Sequence, residues 1–219
     1  MVTTAPAVNT PVQQIVLDHV SWKTYESLLA DYVDRSVPHF TYDRGKLEIV
    51  SPSIPHETDN QTLGLLIELV AAEWETNTRN VGSATFRRKD LQRGFEADMT
   101  FYIQHEGQVR DKQRIDLSVD PPPDLLIEIE VTNPAIAKLP IYAEIGVPEV
   151  WRIDGDRVMV LALDAGEYRE SAQSVSLAPL DGDVLTRFLA ESRTMPRTGW
   201  IRAVRAWALG QAAARDSTR

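Results

Sequence analysis

The chain has 219 residues, enough for one sizeable domain with a real core, and 43% hydrophobic with 25% charged residues is the balance of an ordinary water-soluble protein. It has no cysteine, which excludes disulfides, thiolate chemistry, zinc fingers and cysteine-ligated clusters and suits a reducing cytoplasm. The formal charge of −9 argues against a sequence-independent grip on nucleic acid, though not against a local basic path over an acidic body. No apolar run approaches the roughly 18 residues of a membrane span. Residues 1–13 lack the basic start and apolar stretch of a secretory signal.

Taken in order, residues 1–14 read as a loose arm, residues 15–214 as one domain and residues 215–219 as a frayed end. Ser21 can cap a helix over Trp22–Val33. His39–Tyr42 and Lys46–Val50 flank Asp43-Arg44-Gly45, a hairpin with a three-residue loop, and Glu48 lies in its second strand. His56–Thr76 carries Leu63, Leu66, Ile67, Val70, Ala71 and Trp74 at helical spacing. His56 beside Glu57 is a candidate ligand pair, although such residues more often simply open a helix.

Gly82–Lys89 reads as a strand ending in Arg87-Arg88-Lys89, a run that either contacts phosphate or is a solvated edge. Glu96–Ile103 alternates as one strand, with Asp98 near its start. His105–Arg114 is a basic, mobile loop with Arg110, Lys112 and Arg114, and Ile115–Val119 a short strand.

Pro123–Val131 is the most informative stretch. Leu125, Ile127, Ile129 and Val131 form one face of a strand; Asp124, Leu126, Glu128 and Glu130 form the other. Leu126 between the acids implies that both faces are covered, as in an inner strand. Two carboxylates in such a place are expensive unless a cation relieves them. Glutamates on strands more often face solvent or a surface arginine, so the weight rests on the company these two keep. After a turn at Thr132-Asn133-Pro134 comes Lys138, then a helix over Leu139–Ile145 closed by Gly146. Three strands, Glu149–Ile153, Arg157–Leu163 and Glu167–Ser171, make a meander, followed by helices over Val184–Glu191 and Gly199–Ala213.

Oxygen ligands from Asp98, Glu128 and their neighbours suit magnesium or manganese, and a nearby lysine can orient water or hold a phosphate. There is no GxSxG elbow, no GxxxxGK[ST] or GxGxxG loop and no HExxH.

Asp98 followed by Glu128-Ile129-Glu130 on a core strand resembles the PD-(D/E)XK nuclease superfamily. Four stretches resemble, more narrowly, the Uma-two family of restriction-endonuclease-type proteins: TYDRGKLEIVSPSIPHE, GSATFRRKDLQRGFEADMTFYI, DPPPDLLIEIEVTN and KLPIYAEIGVPEVWRID. The chain departs from the pattern in carrying Glu130 where a simple motif has lysine, and Ala97 where many relatives have proline. The resemblance implies an α/β fold with a mixed, restriction-endonuclease-like sheet flanked by helices. It implies an Mg²⁺-dependent DNA endonuclease, with Mn²⁺ able to substitute. Asp98 and Glu128, with the carbonyl of Ile129, would hold the metal. Glu130 or Glu48 would assist, Lys138 would position water or phosphate, and Arg87, Arg88, Lys89, Arg110, Lys112 and Arg114 would touch DNA. Cutting both strands favours a homodimer. The rival readings are a non-catalytic module of the same fold, binding DNA or protein, and a phosphodiesterase acting on RNA or a small substrate.

Overall fold

The computed structural model describes residues 13–32, 35, 37–51, 54–129 and 135–216, with backbone only at 54–55 and 214–216. In chain order the elements are β1 (Gln13–Leu17), α1 (Trp22–Asp31), β2 (His39–Asp43), β3 (Lys46–Ser51), α2 (Ile54–Glu73), β4 (Arg79–Gly82), β5 (Thr85–Arg88), β6 (Arg93–Glu96), β7 (Met99–Tyr102), α3 (Glu106–Val109), β8 (Leu125–Ile129), α4 (Leu139–Ile145), β9 (Glu149–Asp154), β10 (Arg157–Asp164), β11 (Glu167–Glu170), α5 (Gly182–Ser192) and α6 (Arg197–Asp216).

The local reasons for these elements are visible in the sequence. The Ser21 hydroxyl accepts the Thr24 amide at 3.1 Å and starts α1. Asp181 caps α5 in the same way, accepting the Val184 amide at 2.8 Å. Gly146, at φ +92°, ends α4 where a side chain is strained, and Tyr142 O takes both the Gly146 and Val147 amides. The hairpin β2–β3 pairs Asp43 with Lys46, so its turn is the two residues Arg44-Gly45, both at positive φ, and not the three expected.

The strands form two sheets where one was expected. One is antiparallel, in the order β1-β3-β2-β6-β5; the other is mixed, in the order β11-β10-β9-β8-β7-β4. Among the described strands only β8 and β9 run parallel, joined through α4, the crossover that a parallel pair requires. The run read as one strand over Glu96–Ile103 is broken at Ala97-Asp98: β6 belongs to the first sheet and β7 to the second. Gly82–Lys89 divides likewise into the end of β4, in the second sheet, and β5, in the first. Gln13 and Gln14, assigned to a loose arm, begin an edge strand that pairs with β3. Ile115–Val119 is not a strand. Asp116 takes the Ser118 amide on its carboxylate at 2.9 Å and the Asp120 amide on its carbonyl at 2.7 Å, which rolls the segment into a turn. The basic loop contains α3 and is tied down by Arg79, whose guanidinium donates to the carbonyls of Val109 and, at 2.7 Å, Lys112.

β8 lies between two cores. Leu125, Ile127 and Ile129 face α2, α5 and α6, together with Met99, Phe101, Trp151 and Val160. Leu126 faces α4 with Tyr102, Ile141, Tyr142 and Val150, and Phe86 and Phe95 of the first sheet join this cluster. A third cluster packs Trp22 and Tyr25 of α1 on Phe40, Tyr42 and Leu47, the outer face of the first sheet. The apolar side of α6 is spent on its own core: Trp200, Val204 and Ala208 are buried, and Trp74 donates to Ala208 O at 2.9 Å. Among the described residues no helix is long and apolar enough to cross a membrane.

Candidate active site

The site lies where the two sheets part. Asp98 is the corner between β6 and β7. Its carboxylate Oδ2 accepts the Ile129 amide at 2.8 Å, its Oδ1 lies 3.4 Å from His39 Nδ1, and its carbonyl accepts Asn60 Nδ2 at 2.8 Å. The ladder between β7 and β8 pairs Met99 with Ile127, so Asp98 and Glu128 follow side by side at its end.

Glu128 is buried and shares the α4 side of β8 with Leu126. Lys138, immediately before α4, donates from its ammonium to Glu128 Oε2 at 2.7 Å, and the Tyr142 hydroxyl donates a hydrogen bond to Oε1. Lys138 and Tyr142 are four residues apart and so lie over one another on a helical turn. Tyr142 was not singled out in the sequence; its i+4 spacing from Lys138 is the signal that could have found it.

Electrostatics follow from this packing. Burial pushes the Glu128 carboxyl up, the Asp98 charge adds to that, and Lys138 and Tyr142 pull against it without prevailing. For Asp98 burial acts upward too, but the His39 bond, the Lys138 charge and the Ile129 amide outweigh it and leave the group below its usual range. Burial would depress Lys138, yet Glu128, Asp98 and Glu48 more than compensate, so it remains an ammonium. His39 is likewise raised, burial being outweighed by its bond to Asp98.

Glu48 is buried. One of its oxygens accepts the Ala135 amide at 2.8 Å and also the side chain of Gln14, while Lys46 Nζ reaches the Ala135 carbonyl at 3.3 Å. Lys46 and Glu48, on one face of β3, therefore clamp residue 135, three residues before Lys138. Its geometry is that of a strut for the loop bearing Lys138. Glu96, adjacent to the corner, is pushed up by burial and takes the Phe40 amide at 2.8 Å and the Thr85 hydroxyl. Glu130 and the turn at 132–134 lie outside the described residues.

A small cleft of about 10 Å³, room for one water-sized occupant, is lined by His39, Thr41, Val50, His56, Asp98, Ile129 and Lys138. Four separate regions thus meet: the inner face of the first sheet, the first turn of α2, the Asp98 corner and the junction of β8 with α4. Glu57, read with His56 as a ligand pair, does not line it. Among the described residues no three His, Cys, Asp or Glu are grouped to hold a metal ion. A cation here would rest on Asp98, Glu128 and the Ile129 carbonyl, a set of hard oxygen donors that fits magnesium or manganese. Glu128 stays raised even against Lys138, so its buried carboxylate keeps a desolvation cost that a divalent ion would offset.

The six basic residues expected to touch DNA do not line the cleft. Arg87 lies 3.9 Å from Glu26, Arg88 pairs with Asp90 at 2.6 Å, Arg110 with Glu106 at 2.7 Å, and Lys112 with Asp120. Lys89 and Arg114 are exposed.

The sequence profile of the Uma2 family, described as "Putative restriction endonuclease", matches residues 22–191. No curated protein matches the chain. Among solved structures, the chain is similar to that of a protein described as "a putative nuclease belonging to DUF820 from Anabaena variabilis ATCC 29413", at 14% identity and TM-score 0.47, over 69% of this chain and 92% of that one.

Proposed function

This chain belongs to the Uma2 family, and from that premise we propose that it is a magnesium-dependent endonuclease hydrolysing DNA phosphodiester bonds at the cleft beside Asp98. The observation that carries the reading is the convergence of Asp98, Ile129 and Lys138, from three separate segments, on one cleft, with Glu128 bonded to Lys138 behind it. Asp98, Glu128 and the Ile129 carbonyl would hold the metal. When bound, the cation supplies a Lewis acid for a phosphoryl oxygen. Lys138, held as an ammonium by the neighbouring acids, presents a positive charge at the cleft wall, placed to hold a phosphate oxygen or orient the attacking water. Asn60 and the Ile129 amide fix Asp98 from both its backbone and its side chain. Tyr142 fixes Glu128, and Glu48 with Lys46 fixes the approach to Lys138.

The test is cleavage of plasmid DNA and of single-stranded DNA and RNA by the wild type, Asp98→Ala and Glu128→Ala, with and without a chelator, and with circular dichroism as a folding control. Wild-type cleavage of DNA that needs Mg²⁺ or Mn²⁺ and is lost in both folded variants is the expected result. Cleavage retained by either variant removes that residue from the site, and cleavage of RNA alone moves the substrate assignment.

One observation favours a second reading, a non-catalytic nucleic-acid-binding module: both oxygens of Glu128 already have protein partners. That module binds duplex DNA equally well after chelation and cleaves nothing.

A further inference from the structure

Among the described residues that line the cleft, one ionisable side chain is not used by the site. His39 is committed to Asp98 and Lys138 to Glu128, while Asp98 takes both His39 and the Ile129 amide. His56 lines the same cleft, is half-buried, and has no hydrogen bond or ion pair with the described residues. Thr41, buried on the inner face of β2, brings a hydroxyl to the same wall.

The placement of His56 is built into the fold. Asn60, one helical turn further along α2, bonds the Asp98 carbonyl, so the turn that carries His56 is fastened to the corner that carries Asp98. One more turn on, Gly64 lets α2 lie against β7: a Cβ there would fall 2.4 Å from Met99 Sδ. α2 is thus locked at two successive turns, with His56 at the next position of the same stripe, over the cleft.

We propose that His56 is a substrate-contacting residue, donating a hydrogen bond from its imidazole N–H to a non-bridging oxygen of a nucleic-acid phosphate. The inference rests on the nuclease reading and adds to it the group that meets the phosphate from the α2 side. An imidazole keeps at least one N–H donor in either protonation state, so the contact does not depend on titration. Metal ligation is the weaker role for this side chain: imidazole suits zinc, copper or iron, whereas the acids beside it are a hard-oxygen set. Phosphate, by contrast, is an acceptor with free lone pairs, and of the cleft's described nitrogen side chains His39 already faces Asp98 and Lys138 faces Glu128.

The chain has four histidines, so the imidazole signals in an NMR spectrum can be assigned one by one by substitution. The probe is a short DNA duplex added to the full chain in Ca²⁺, with Ca²⁺ alone as the control. The expected result is movement of the His56 ring signals on adding duplex and not on adding the ion. His56→Ala weakens duplex binding about tenfold, the value of one charge-assisted hydrogen bond, and His56→Gln, which keeps an N–H donor, recovers most of it. Thermal unfolding of both variants stays at the wild-type temperature, because among the described residues His56 has no hydrogen bond or ion pair to lose. If the wild type cleaves or binds DNA while the His56 signals stay still and His56→Ala binds as tightly, this inference alone is overturned. Movement on adding the ion alone overturns it in favour of a ligand role. A wild type that neither binds nor cleaves nucleic acid removes the nuclease reading, and this contact with it.

Discussion

Two neighbouring acids, Asp98 in the cleft and Glu128 behind it, respond to pH in opposite senses, and the signs follow from their surroundings. Asp98 is held below 3.8, so the folded chain binds this proton less readily than the unfolded chain. Its contribution to stability is complete above that value and is lost as pH falls through the folded pKa. Glu128 is raised above 4.5, so the folded chain binds its proton more readily, and stability declines as pH rises through that window. Lys138 limits the second effect. Lys138→Met leaves Glu128 buried without its counter-charge, which costs about 3 kcal/mol at neutral pH. The deficit shrinks in acid, where Glu128 takes up a proton and its bond from Tyr142 no longer surrounds a bare charge. Urea unfolding of the wild type, Lys138→Met and Asp98→Asn from neutral to acid pH checks all three statements. A Lys138→Met deficit that grows in acid would show that Glu128 is not the group left unpaired. Asp98→Asn should flatten the acid limb of the wild-type curve.

At the scale of elements, the seat of α2 on β7 decides where His56 and Asn60 lie relative to Asp98. Gly64→Val places methyl groups where Met99 Sδ already sits, and overpacking of this kind costs about 1–3 kcal/mol. Because Met99 is the obstruction, Met99→Ala in the same chain should recover part of that loss, although alone it opens a cavity and destabilises. Thermal unfolding of the two single variants and the double gives the coupling; additive losses would mean that α2 is set by contacts elsewhere. The elements themselves were largely legible. β8, α4 and the meander stand where alternation, Pro140 and Gly146 put them, because each has a local signal. The corner at Asp98 was not legible. Buried residues run without a break through Arg93–Ala97 and on through Met99–Ile103, so hydrophobic periodicity does not register that the chain changes sheets. Phe95 and Ala97 bury in the α4 cluster, Met99 and Phe101 in the α2 cluster. Only the tertiary partners distinguish the two halves. The same limit applies to the site. Asp98, Glu128 and Lys138 were readable because charges on a core strand and its following turn are conspicuous. Asn60 and Tyr142 are neutral residues in apolar helices, and His39 reaches Asp98 across 59 positions of sequence.

For the molecule as a whole, the question is how a chain of net charge −9 approaches a polyanion. The basic stretches look at first like a track for DNA, but Arg87, Arg88, Arg110 and Lys112 each face a carboxylate. A cation already paired releases little counterion on meeting phosphate, and breaking its pair offsets the gain. Uncommitted positive charge at the cleft is scarce too, since Lys138 is shared with Glu128. Attraction would therefore be local, coming from the metal-loaded acids and a handful of hydrogen bonds rather than from a basic surface. This predicts a shallow salt dependence. With slope about −0.9 per phosphate neutralised, a chain making about three such contacts shows a log–log slope near −3, against −6 to −9 for one that lays a basic track on DNA. The measurement is duplex affinity by fluorescence anisotropy across a range of salt concentrations at fixed divalent ion. Arg87→Ala with Arg88→Ala should leave the slope nearly unchanged, whereas removing the divalent ion should lower affinity at every salt concentration. A steep slope that falls by about two units in the double variant would establish the β5 edge as a DNA-contacting surface and displace the local picture. The shallow slope would place recognition in the cleft between the sheets, where Asp98, Lys138 and His56 converge.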